Sequence, residues 1–269
     1  MTDIYKMTDI IRKKGPLIYQ ITNFVSANDC ANAVLAIGAT TVMSQEIEEV
    51  EEILAHADAL VLNLGTPSKD KIKTMIKAGE TASESGIPIV FDPVGGGSTK
   101  FRKEAVRNIL HHVNVSVIRG NLSEILSLSE ETPVFAGVDS AKLKDKDKLS
   151  IIKDTARHLK CVIAATGEDD IITDGEKMYI CHNGCPEMAR LTGTGCICSA
   201  LIGTFAGASP DSLLNATTAA VVFMGISGEQ AWKYNGHLGY GHFHMGLIDE
   251  FGKLTGEIIS KEMRLDEIV

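Results

Sequence analysis

The chain has 269 residues, 44% of them hydrophobic, which suits one large α/β domain with a sizeable core. Its net charge of −9 argues against bulk binding to nucleic acid or an anionic membrane surface. No run of 18 apolar residues is present, so no membrane span is expected.

Residues 1–16 mix charged and apolar positions and lack a secretory core. Six cysteines (Cys30, Cys161, Cys181, Cys185, Cys196, Cys198) are scattered without an export signal, so reduced thiols and a cytoplasmic location are expected. Leu17–Ile21 reads as a strand, Asn28–Ile37 as a helix stopped by Gly38, and Ala39–Met43 as the next strand. Ser44 is placed to cap a Glu-rich helix reaching His56. A rhythm follows. The apolar runs 59–62, 89–91, 115–118 and 162–165 alternate with helical stretches at 69–84, 102–112, 123–128 and 140–159. Short apolar runs separated by helices mean parallel strands covered on both faces. Residues 171–173 and 178–180 flank an Asp-Gly turn and predict a β-hairpin at one end of the sheet. Beyond the glycine loop near residue 193, the pattern predicts helices to the end: 210–225, 227–234 and 245–265, with a Gly/His-rich loop from 236 to 246. Nothing reads as a linker, so residues 1–269 are expected to form a single domain.

Right-handed crossovers put every parallel strand's C-terminal end on one edge, where open α/β sheets bind ligands. That edge should carry Asn63, Asp92, Arg119, Asn121 and Thr166. Gly193-Thr194-Gly195-Cys196 runs directly into a helix. Its glycines allow a tight turn, and the helix start offers free N–H donors and a positive dipole end, so an anion is favoured there. Ile197, Leu201 and Phe205 should face a core, and Cys196, Ala200, Gly203 and Gly207 form a small-residue stripe for close packing. Asp92 and Glu124 are hard oxygen ligands suited to Mg²⁺, and Arg119 supplies a planar donor fork for phosphate. Together these groups form an inventory for phosphoryl transfer. Singly, each has a plainer reading: a salt bridge for Arg119, a cap or turn for Asp92 and Glu124, a Gly-rich turn for the loop. The sequence contains neither a P-loop signature nor an early Gly-x-Gly-x-x-Gly motif. The spacing of Cys181, Cys185, Cys196 and Cys198 fits no common zinc pattern, and His242-Phe243-His244 reads better as packed or capping than as a metal site.

Gly193-Thr194-Gly195-Cys196, Asp92-Pro93-Val94-Gly95-Gly96-Gly97, Arg119-Gly120-Asn121 with Glu124, and Gln20 through Val25 with Asn28 resemble the hydroxyethylthiazole kinase family of the ribokinase superfamily. They occur in the same order, from about Pro16 to about Leu254. The resemblance implies a three-layer, ribokinase-like α/β fold, with a mostly parallel central sheet, helices on both faces and a small antiparallel hairpin at one end. It implies a thiamine-salvage enzyme that phosphorylates the hydroxyl of 4-methyl-5-(2-hydroxyethyl)thiazole with ATP and Mg²⁺, working as a homotrimer with interfacial active sites. Met43, Gly193 and Asn23 would bind the thiazole, and Arg119, Thr166 and Asn121 the ATP. Asp92 and Glu124 would serve the metal. Cys196, with the backbone of Gly193, Thr194 and Gly195, would form the catalytic loop; related enzymes carry an aspartate where Cys196 stands. Three departures occur: Tyr19 where many relatives have histidine, Thr40-Thr41 in place of a Ser-Pro pair, and Gly239-Tyr240-Gly241-His242 in place of a Gly-Pro-Gly-Ser-type loop. Alternatives are a kinase of another vitamin-precursor alcohol such as a hydroxymethylpyrimidine, a nucleotide-dependent dehydratase of hydrated nicotinamide nucleotides, and a non-catalytic nucleotide sensor.

Overall fold

Apolar residues alternate along the strands, and this alternation divides the interior in two. A computed structural model describes residues 4–129 and 145–268. Strands β1 (Leu17–Ile21), β2 (Thr40–Met43), β3 (Ala59–Asn63), β4 (Ile89–Asp92), β5 (Val117–Asn121) and β6 (Val162–Thr166) pair in parallel. β7 (Asp170–Thr173), β8 (Met178–Cys181) and β9 (Leu265–Ile268) extend the sheet antiparallel, in the order β2-β1-β3-β4-β5-β6-β7-β8-β9. Ile18, Val61, Val90 and Val117 face one core, and Tyr19, Leu60, Phe91 and Ile118 face the other. The central strands β1, β3 and β4 are buried on both faces, as a covered parallel sheet requires.

The first core is closed by α1 (Met7–Lys14), α2 (Ala27–Ile37), α8 (Thr194–Ala208), α9 (Leu213–Asn235) and α10 (Tyr240–Lys253). The second lies under α3 (Val50–Leu54), α4 (Lys69–Glu84), α5 (Lys100–His112), α6 (Leu122–Ser129) and α7 (Asp145–Leu159). This is the expected three-layer α/β arrangement. Helix α8 is buried from Ile197 to Ala208, so it has no solvent face beyond its first turn. It lies flush on the sheet because Gly203 has no side chain: a Cβ there would overlap Val61. The expected small-residue stripe therefore does what close packing demands.

Several boundaries differ from expectation. The helix predicted from Ser44 is shorter, a 3-10 turn at Ile47–Glu49 leading into α3, and the Ser44 hydroxyl accepts from the Glu46 N–H instead of capping a long helix. The segments predicted as 210–225 and 227–234 are one helix, α9, after a 3-10 turn at Pro210–Ser212, because buried Gly225, Ser227 and Gly228 continue the helix. The Gly/His loop is mostly helical, since α10 begins at Tyr240. The chain is not helical to its end: α11 (Gly256–Glu262) gives way to β9, which pairs with β8. α1 also forms at the N-terminus, its Ile11 wholly buried. The predicted start of α7 at Ser140 lies outside the described residues. Among the described residues no single helix is long and apolar enough to cross a membrane.

Candidate active site

The parallel strands end where their apolar runs stop. Asn63 and Asp92 stand in register at the ends of β3 and β4, and Asn121 and Thr166 at the ends of β5 and β6. Side chains then link neighbouring strand ends. Asn23, just after β1, donates from Nδ2 to Asn63 Oδ1 at 2.9 Å. Asn63 Nδ2 donates to Asp92 Oδ2 at 3.1 Å, and the Ser199 hydroxyl of α8 donates to the same oxygen at 2.7 Å. Asp92 is completely buried. Burial pushes its carboxyl above the usual range, against the pull of the Arg119 guanidinium 3.6 Å away and of Ser199. Its Oδ1 has no hydrogen-bond partner among the described residues. Arg119 also donates from Nη2 to Thr166 Oγ1 at 2.5 Å.

The glycine loop meets this row from above. Gly193 turns the chain with φ +88°, a conformation that favours glycine, and a Cβ there would press on Ser26 at 3.0 Å. The first helical bond runs from Ile197 N–H to the Gly193 carbonyl at 2.9 Å, so the amides of residues 194–196 precede the helical ladder. The Thr194 hydroxyl points back to the Met188 and Leu191 carbonyls at 3.3 and 3.4 Å, which leaves its backbone as the part turned to the loop. Asn23 Nδ2 also lies 3.3 Å from Cys196 Sγ, as donor to it. Asn23 thus joins the thiol to the strand-end row.

Beside the loop lies a cavity of about 860 Å³, lined by Arg119, Asn121, Thr166, Thr194 and Gly195 among others. Outside that cavity's lining are Cys196, Asn23 and half-buried Met43, the last in register with Gln20 of β1. There the chain leaves its own surface open: Phe24 and Val25, next to Asn23, are 81% and 55% exposed.

Asn121 and Glu124 hold each other in a capping box at the start of α6. The Asn121 side chain accepts from Glu124 N–H at 2.9 Å, and Glu124 Oε2 from Asn121 N–H at 2.8 Å. The capping reading of Glu124 is therefore real, and the Asn121 amide oxygen is engaged in that cap. Glu124 Oε1 reaches further, accepting from Gly95 N–H at 2.7 Å, and so fixes the Gly95–Gly97 loop. A divalent ion fits this donor set. Asp92 has a free acceptor and Glu124 a second carboxylate, while no group of three or more His, Cys, Asp or Glu among the described residues forms a cage. Mg²⁺ is bound in that way, through one or two carboxylates with water and substrate phosphates. His244, in the stretch weighed earlier as a metal candidate, lies 3.0 Å from Asp29 Oδ1, tying α10 to α2.

Three functional candidates escaped the sequence reading. Ser199 contacts Asp92, and its signal was a hydroxyl residue four positions after Gly195 on a largely apolar helix. Lys71 is 2% exposed, and it shares a helical stripe with buried Met75, Ala78 and Ala82. Asp170 lines the cavity and is pushed up to about 7 by burial.

Residues 8–257 match the sequence model of the hydroxyethylthiazole kinase family. The chain belongs to the hydroxyethylthiazole kinase family. A hydroxyethylthiazole kinase of Clostridium beijerinckii is 42% identical over 262 residues, covering 96% of this chain and 95% of that one. The structure of a hydroxyethylthiazole kinase protein from Pyrococcus horikoshii superposes with a TM-score of 0.91 at 36% identity, covering all of both chains. A ribokinase-like superfamily protein from Enterococcus faecalis, 13% identical, covers 93% of this chain and 95% of its own with a TM-score of 0.64, a likeness of fold. In this hydroxyethylthiazole kinase family chain, Tyr19 lies on β1 and Thr40 and Thr41 on β2, and none of the three lines the cavity beside Arg119. Tyr19 is wholly buried, its hydroxyl donating to the Ser44 carbonyl at 3.3 Å, and burial pushes it up to about 12. Thr41 donates to the Ile18 carbonyl at 2.9 Å and accepts from Gln20 Nε2 at 2.8 Å, stitching β1 to β2 beneath Met43.

Proposed function

We propose that this protein transfers the γ-phosphoryl group of ATP to the hydroxyl of 4-methyl-5-(2-hydroxyethyl)thiazole, a step of thiamine salvage. One observation carries the reading: Thr194 and Gly195 line the cavity that holds Arg119, while the next residue, Cys196, accepts from Asn23, so a donor and an acceptor can meet at this turn. ATP occupies the cavity with Arg119, Thr166 and Asn121 beside it. The thiazole sits by Met43, Gly193 and Asn23, its hydroxyl toward Cys196.

The N–H groups of Thr194, Gly195 and Cys196 hold the phosphoryl group as its charge spreads over the equatorial oxygens. Arg119, pinned between Asp92 and Thr166, adds a fixed positive charge on the nucleotide side. The alcohol oxygen bonds to the γ-phosphorus as the bond to the bridging oxygen breaks. ADP leaves, and the hydroxyl proton is released toward Cys196 Sγ. Asp92 and Glu124 would hold Mg²⁺, which supplies charge neutralisation at the phosphates.

The whole chain works as one domain, in the cytoplasm, as a homotrimer. The exposed Phe24 and Val25 beside Asn23 support sites completed by a second copy. A coupled ADP assay with the thiazole alcohol, ATP and Mg²⁺ tests the function. ADP production no faster than without the alcohol refutes it, and faster turnover of a hydroxymethylpyrimidine in the same assay would move the assignment to that alcohol.

A further inference from the structure

The turn after β3 is unusually constrained. Thr66 has φ +45°, rare for a β-branched residue. Such strain persists where the surroundings over-determine it, and it gathers at functional sites. Two cations hold this turn. Arg102 Nη1 donates to the Leu64 carbonyl at 3.1 Å, and Lys71 Nζ to the Gly65 carbonyl at 2.8 Å. Gly65 in turn lies directly against the amide pair: its N–H donates to Asn63 Oδ1 at 2.9 Å, and a Cβ on it would meet both Asn23 Nδ2 and Asn63 Oδ1 at 2.8 Å. One turn further along α4, the Thr74 hydroxyl donates to the Gln45 carbonyl at 3.0 Å, two residues past Met43.

Lys71 is buried, and no carboxylate among the described residues pairs with it. Among the described residues its ammonium makes one hydrogen bond, to the Gly65 carbonyl. An ammonium taken out of water at this cost is not a general stabilising device. The charged or titratable groups that act on it are Cys196 from α8 and Arg102 from α5.

We propose that Lys71 is a positioning residue for the acceptor half of the reaction, fixing Gly65 and through it the Asn23–Asn63 pair, and setting a buried positive charge within electrostatic reach of Cys196. The charge steadies the negative charge that develops on the acceptor side as the alcohol turns nucleophilic. Burial lowers the ammonium's pKa to about 8, so the charge is present at neutral pH and lost in mildly alkaline solution. This proposal rests on the kinase reading above.

The test uses the full-length protein with Lys71→Gln, which retains a donor for Gly65, and Lys71→Met, which retains the volume alone. Melting curves establish that each variant is folded. In Lys71→Gln, kcat with the thiazole alcohol is expected to fall about a hundredfold, with KM for ATP close to that of the wild type. The wild-type kcat should decline above about pH 8, and this decline should be absent from the variant's profile. Independently of turnover, iodoacetamide should alkylate Cys196 several-fold more slowly in both variants at pH 7.5, followed by peptide mass analysis. Unchanged alkylation together with an unchanged pH profile in folded Lys71→Gln overturns the proposal. If the wild type fails to phosphorylate the alcohol, the kinase reading falls, and equal alkylation rates in wild type and variants would still refute the role of the charge.

Discussion

Gly195 and Arg119 claim the same space: a Cβ built on the glycine would overlap the guanidinium of the arginine. The glycine is needed for more than a flexible loop. It lets a cation from β5 lie against the first turn of α8, where the helix dipole is positive and an anion would be shared by both.

Gly195→Val should therefore abolish phosphoryl transfer, and Gly195→Ala should reduce kcat about a hundredfold or more by displacing Arg119. Steady-state ADP release measures both. Wild-type turnover in Gly195→Val would show that the loop is not where phosphate is held.

Cys196→Asp should remain active, because a carboxylate can accept from Asn23 and orient the same hydroxyl. Cys196→Ala keeps the amide cradle and loses the orienting group. A greater loss of kcat in the aspartate variant than in the alanine variant would contradict this account.

Arg119→Met should leave Asp92 fully buried with no cation beside it, at a cost of about 3–5 kcal/mol. Urea unfolding reads that loss directly. Arg119→Lys keeps a charge but cannot bridge Asp92 and Thr166 with one planar fork, so KM for ATP should rise while most stability is retained.

Asp170 provides a pH test. Burial raises its pKa from 3.8 to about 7, while the Gly167 N–H at 2.9 Å and Arg119 pull it down. Between these two values the folded protein keeps a proton that the unfolded chain has released. Stability contributed by this group is therefore full below about pH 4 and declines as pH rises through about 7. Asp170→Asn cannot titrate. Its urea midpoint relative to the wild type should improve from pH 4.5 to pH 8, and a constant difference would show that Asp170 is ordinary.

The strand-end row could be read in advance because each apolar run broke off at a polar residue, and topology alone brings such ends together. Asn63, Asp92, Arg119, Asn121 and Thr166 all stand where that argument placed them. Lys71 was harder to see, since a lysine in a Lys- and Asp-rich helix resembles a solvated one. Its phase with Met75, Ala78 and Ala82 was the one visible clue. The capping box of Asn121 and Glu124 shows the opposite limit: the spacing was evident, but spacing does not reveal that Glu124 also grips Gly95, 29 residues earlier. β9 was missed because Leu265–Ile268 carries two acids in four residues and is mostly exposed. What makes it a strand is the free edge of β8, which no local pattern reports.

That last strand has a practical meaning for anyone handling the protein. Backbone pairing with β9, reinforced by Arg264 reaching both Glu229 at 2.6 Å and the His182 carbonyl at 2.6 Å, shields the outer rim of β8 from other chains. Deleting the segment after Met263, or prying it loose with a bulky fusion, would bare a row of amide and carbonyl groups able to recruit a stranger's strand. Preparations altered there should clump long before their chemistry fails.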